Sequence, residues 1–170
     1  MLMQIFIKTI ICVTAATATS LPIKSRAITS PFRLRANVKG FDLTPSLQGQ
    51  ELSYTPNADC IADITFAPAG QGSLFYTTGD TVKVFHFSDD SSPSAGLIVT
   101  PGGTATVPSL NIVQLQCQAG TTGVTVTTEG LQYQGGAWMA CFRDGAIVLS
   151  FKQAGQRTLL GCADVEVLPI

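Results

Sequence analysis

Apolar residues return at every second position along most of this chain, and glycine or proline interrupts them about every 8–15 residues. Phe32, Leu34, Ala36 and Val38 alternate with Arg33, Arg35 and Asn37, and Ala62, Ile64 and Phe66 alternate with Asp63 and Thr65. Successive side chains of a strand point to opposite faces, so this pattern buries one face and leaves the other to water. Further strands are expected over residues 73–77, 82–87, 97–100, 110–117, 124–127, 130–134, 137–142, 146–151 and 162–168. Thr78-Gly79-Asp80-Thr81 reads as a hairpin turn. The 3.6-residue period of a helix is missing from the folded part, apart from a helical turn expected within residues 45–50. About ten short strands with such spacing predict an all-β fold, an antiparallel β-sandwich or barrel. A β-trefoil is the alternative, although no threefold repeat is visible.

Residues 1–20 have the pattern of a secretory signal peptide: Lys8 near the start, a short apolar run, then small residues. Ala16-Thr17-Ala18 and Ala18-Thr19-Ser20 both fit a small-x-small cleavage site. The run is too short to cross a hydrocarbon layer of about 30 Å, and no membrane span is expected. Residues 21–31 then form a short leader or linker, and residues 32–170 a single all-β domain. The protein is expected outside the cell, released or held there non-covalently.

Cys12 falls in the leader, which leaves Cys60, Cys117, Cys141 and Cys162. An even number of cysteines in an exported chain implies two disulfides. Three pairings are available, and Cys60–Cys117 with Cys141–Cys162 is the one expected. No C-x-x-C pair is present and His86 is the only histidine, so no metal site is expected.

Charge narrows the partners. Only 12% of residues are charged, with ten Lys and Arg against eleven Asp and Glu. Without a basic excess, a nucleic-acid partner is not expected. Catalytic signatures are equally thin. A Ser-His-Asp arrangement would have to use His86, and no G-x-S-x-G elbow accompanies it. Asp89-Asp90-Ser91-Ser92 supplies too few oxygens for calcium and reads as a solvated hairpin tip. Gly70-Gln71-Gly72, Gly102-Gly103 and Gly135-Gly136 match no phosphate loop and read as turns. No catalytic residue and no cofactor are expected. Tyr54, Tyr76, Tyr133 and Trp138 are candidates for a carbohydrate-stacking face, because flat rings suit the apolar faces of pyranoses. For Trp138 the alternation with Ala140 and Phe142 beside Cys141 also fits a place in the core.

Leu131-Gln132-Tyr133-Gln134-Gly135, Trp138-Met139-Ala140-Cys141-Phe142 and Gly161-Cys162-Ala163-Asp164-Val165 form an ordered series, preceded by Phe32-Arg33-Leu34-Arg35-Ala36. The series resembles small secreted proteins of filamentous fungi, including the phialide-type mould cell-wall proteins. The resemblance implies an uncharacterised β-sandwich domain and a place in the cell wall, and it transfers no catalytic residues. Phe142 stands where the phialide type has a proline, and Val148-Leu149-Ser150-Phe151 replaces its tryptophan-rich strand. The expected function is that of a secreted, non-enzymatic β-sandwich protein associated with the cell wall or another extracellular surface. Its partner is then a cell-wall polysaccharide or an extracellular protein. The alternative is an effector-like or ligand-binding protein acting on a host or competitor. A secreted hydrolase ranks below both.

Overall fold

The computed structural model describes residues 31–55, 60–85, 87, 94–104 and 106–170. Residues 1–20, expected as a signal peptide, and His86 and residues 89–92 lie outside the described residues. The described chain is all-β, with thirteen strands where about ten were expected. They are β1 (Leu34–Lys39), β2 (Glu51–Tyr54), β3 (Ile61–Ala67), β4 (Phe75–Thr78), β5 (Thr81–Phe85), β6 (Ser94–Ile98), β7 (Asn111–Ile112), β8 (Gln114–Gln116), β9 (Thr125–Thr127), β10 (Gly130–Gln132), β11 (Ala137–Arg143), β12 (Ala146–Lys152) and β13 (Cys162–Pro169). Among the described residues, no helix is long and apolar enough to cross a membrane.

Eleven strands join in one antiparallel sheet, in the order β4-β5-β6-β8-β3-β2-β1-β13-β11-β12-β7. The sheet curls until β3 meets β12 at Thr65 and Val148, which makes a partial ring rather than a barrel. The strand order has no threefold repetition, so the trefoil alternative does not apply. Residues 110–117, expected as one strand, form two because the segment changes partner. Its first part lies on β12 and its second on β3. Val113 is the crossing point: its N–H donates to Leu149 O at 2.9 Å, and its C=O accepts from Ile64 N–H at 3.1 Å.

Alternation decides which faces are buried. Leu34, Leu52, Ile64, Val84, Leu97, Leu115 and Val167 point into one core. The middle of β11 and β12 is buried on both faces, since Met139, Cys141, Val148 and Ser150 are covered as well as Trp138, Ala140, Leu149 and Phe151. Ser150 meets the cost of that burial by donating its hydroxyl to Asn111 O at 2.8 Å.

Two local expectations need correction. Residues 45–50 form an irregular loop and no helical turn. The Asp42 carboxylate organises it, accepting from Leu43 N–H at 2.7 Å, Leu47 N–H at 3.0 Å and the Ser46 hydroxyl at 2.6 Å. A short acceptor side chain that captures nearby N–H groups competes with helical bonding. The loop leads into β2, a strand absent from the alternation pattern because its first residue is the buried Glu51. The cysteines pair as expected, Cys60 with Cys117 and Cys141 with Cys162. The first bond ties the start of β3 to the end of β8, and the second joins directly opposed residues of β11 and β13.

Candidate functional site

A cleft of about 460 Å³ opens between the β9–β10 hairpin, the following turn, and the strands β11 and β13. The hairpin can lie so close to β13 because Gly130 has φ +121° and no side chain; a Cβ there would come within 2.7 Å of Val167 O. The indole N–H of Trp138 donates to Leu131 O at 2.7 Å and ties β11 to β10. The turn after β10 rests on Phe151, where a Cβ on Gly136 would run into the ring. Tyr133 meets Phe151 edge-on with centroids 5.2 Å apart, and Trp138 meets the same ring at 5.2 Å from another side.

The floor is therefore apolar and fixed: Leu131, Tyr133, Trp138, Val165 and Val167 are all buried. Polar side chains stand around it. Gln132 and Gln134 flank Tyr133 in sequence and are exposed, as the alternation of this segment requires. Gln132 donates to the Glu129 carboxylate at 3.3 Å. Glu166 accepts from Lys39 and Asn37, both at 2.9 Å. Those two bonds, the one from Lys39 foremost, hold the Glu166 carboxyl below the usual range for glutamate. Among the described residues, the charged side chains lining the cleft are both carboxylates, Glu129 and Glu166. The arrangement presents amide donors and acceptors and two carboxylates above an apolar base, which suits a compact ligand with many hydroxyl groups.

The four aromatic candidates separate into two pairs. Tyr133 and Trp138 line the cleft, but only 7% and 4% of their surfaces remain exposed. They leave little ring surface for a stacking face. Tyr54 and Tyr76 lie elsewhere, against the end of β5. Tyr54 stacks on Phe87 with centroids 5.4 Å apart and donates its hydroxyl to Phe85 O at 3.2 Å, and burial raises its phenol pKa. Tyr76 stacks on Phe85 at 4.1 Å. Sequence reasoning did not single out Glu129, Gln132, Gln134 or Glu166. The signal available for the two glutamines was their alternation with Tyr133.

A second depression, about 280 Å³, is lined by Pro45, Leu47, Phe66, Phe142 and Ile147 among others. Phe142 is 53% exposed there, at the end of β11.

A family described as a domain of unknown function, DUF7907, matches residues 29–170. No curated protein and no solved structure matches the chain.

Proposed function

The chain belongs to the DUF7907 family, and we propose that it works as an exported, non-catalytic domain whose cleft holds a segment of an extracellular glycan. The observation that carries this reading is the cleft itself, with its rigid apolar floor and its rim of Glu129, Gln132, Gln134 and Glu166. Two disulfides support an oxidising destination. The leader pattern of residues 1–20 and the likeness to secreted fungal wall proteins support an extracellular surface, the cell wall, as the place of action.

The test is sedimentation. Exported protein is mixed with insoluble chitin, β-glucan and whole fungal wall, and the bound fraction is measured against protein concentration. Saturable binding to one polymer is expected. Ala137 lines the cleft from an exposed position at the start of β11, so Ala137→Arg is expected to block that binding while the fold survives. Failure to bind every polymer overturns the glycan reading.

The exposed apolar depression around Phe142 favours one second reading, a protein partner on a host or competitor. Binding to an extracellular protein that survives Ala137→Arg and is lost with Phe142→Ser would replace the first reading with this one.

A further inference from the structure

We infer that the glycan held in the cleft proposed above carries free amino groups, as an oligomer of 2-amino-2-deoxyhexose does; the inference stands on that cleft reading. Among the described residues, the negative charge lining the cleft is only partly compensated. Both charged residues that line it are acids, and neither Lys nor Arg is among its lining residues. Glu166 is already met by Lys39. Glu129 is different: its carboxylate accepts from the Gln132 amide, and none of the ion pairs formed among the described residues includes it.

Three ligand types can be separated on that basis. A neutral glucan pairs its hydroxyls with Gln132 and Gln134 and donates a hydroxyl to Glu129 at most, without bringing an opposite charge. A glycan bearing carboxylates is repelled by it. An amino sugar pairs its hydroxyls with the same amides and also brings an ammonium group to Glu129, a charge-assisted hydrogen bond. A lysine side chain of a peptide offers the ammonium but no hydroxyls. The peptide's backbone amides meet the rim amides, but it lacks the clustered hydroxyls that fit several rim groups at once and is the poorer match.

Trp138 is the only tryptophan of the chain and lines the cleft, so its emission reports binding directly. The exported protein is titrated with a glucosamine tetramer, its fully N-acetylated counterpart and a β-1,4-glucose tetramer, at mildly acid pH and at low and high salt. Isothermal titration provides an independent measure. The glucosamine tetramer is expected to bind tightest, and to bind more weakly as salt is raised. Glu129→Gln keeps an acceptor for Gln132 and removes the charge. It is expected to weaken glucosamine binding about fivefold, as for an exposed ion pair, and to weaken the glucose tetramer less. Far-ultraviolet circular dichroism checks that the variant is folded. Equal binding of the glucosamine and glucose tetramers, indifferent to Glu129→Gln, overturns the amine assignment and leaves the cleft as a glycan site. Stronger binding of a lysine-rich peptide than of any tetramer overturns the amino-sugar assignment. No heat and no emission change with any tetramer overturns the cleft reading together with this one.

Discussion

Glu51 opens β2 with its side chain 2% exposed, and its removal is the sharpest test of what holds the β1–β2–β3 region together. Its carboxylate accepts from Gly70 N–H at 2.8 Å and from Gly72 N–H at 3.0 Å. Gly72 approaches so closely that a Cβ would overlap the Glu51 side chain. Arg33 and Arg35 lie 3.7 and 3.8 Å away with side chains 41% and 46% exposed, so solvent screens them and they add little. The two backbone bonds dominate. A hydrogen bond to a charged group contributes about 1.5–3 kcal/mol, and two of them are lost together. Glu51→Ala should therefore cost about 3–5 kcal/mol, a large part of the roughly 5–15 kcal/mol that holds a domain folded. Glu51→Gln keeps one acceptor but turns an amide NH₂ toward the other N–H, at a cost of about 2–3 kcal/mol. Urea unfolding measures both, read as a lower midpoint at constant slope. The acid limb gives a second readout. The bond from Gly70, then that from Gly72, holds the Glu51 pKa below its ordinary value of 4.5 against the opposing effect of burial. A group lowered in this way stabilises the fold above its unfolded pKa, and that contribution is lost as pH falls through the folded value. Stability of the parent protein should drop more steeply below about pH 5 than that of Glu51→Gln. Equal urea midpoints for parent and Glu51→Gln, or equal acid slopes, would refute the reasoning.

The other predictions concern the staples and the cleft wall. Replacing Cys60 and Cys117 by serine opens a loop with a sequence separation of 57 and should cost about 4 kcal/mol. The Cys141 and Cys162 pair, with a separation of 21, should cost about 3 kcal/mol; urea unfolding of the two double variants checks the order. Cys117 is exposed and Cys141 is 2% exposed, so mild reduction followed by alkylation and peptide mapping should label Cys60 and Cys117 first. Trp138→Phe removes the donor to Leu131 O and leaves a buried acceptor and a small void, at about 2–3 kcal/mol. Unfolding of that variant must be followed by circular dichroism, because the chain then has no tryptophan.

Most strands were legible because one physical rule governs them. Where a single face is buried, the side chains must alternate, and β1 and β3 follow that rule at their starts and β13 along most of its length. The rule fails wherever pairing is set by something other than one buried face. β2 begins with a carboxylate whose burial depends on backbone donors near Gly70, a contact between residues 19 and 21 positions apart that no local pattern encodes. The 110–117 run alternates like one strand, yet the curl of the sheet makes Val113 serve β12 and β3 at once. Asp42 captures the N–H groups of Leu43 and Leu47 and holds residues 45–50 in a loop, where a helical turn was expected.

The candidate site was half legible, and the reason is geometric. Tyr133 and Trp138 attracted notice as rings, but their size drew them into the core, against Phe151, and left little ring surface for a ligand. The chemistry of the cleft then falls to the residues between and beyond them. Gln132 and Gln134 are exposed because Tyr133 between them is buried, and Glu166 is exposed because Val165 and Val167 are buried. A segment around residue 133 and a strand around residue 166 thus turn their polar faces toward the same space. They do so because the Trp138 indole holds Leu131 in place and Gly130 lets the hairpin lie against Val167. The same alternation that builds the core therefore builds the rim, and the floor cannot move without disturbing the core. A cleft of that kind is preorganised, so little ordering is left for the protein when a ligand enters. On the proposed glycan reading, recognition is left to a few rim side chains, and Glu129→Gln is expected to change ligand choice without touching the fold.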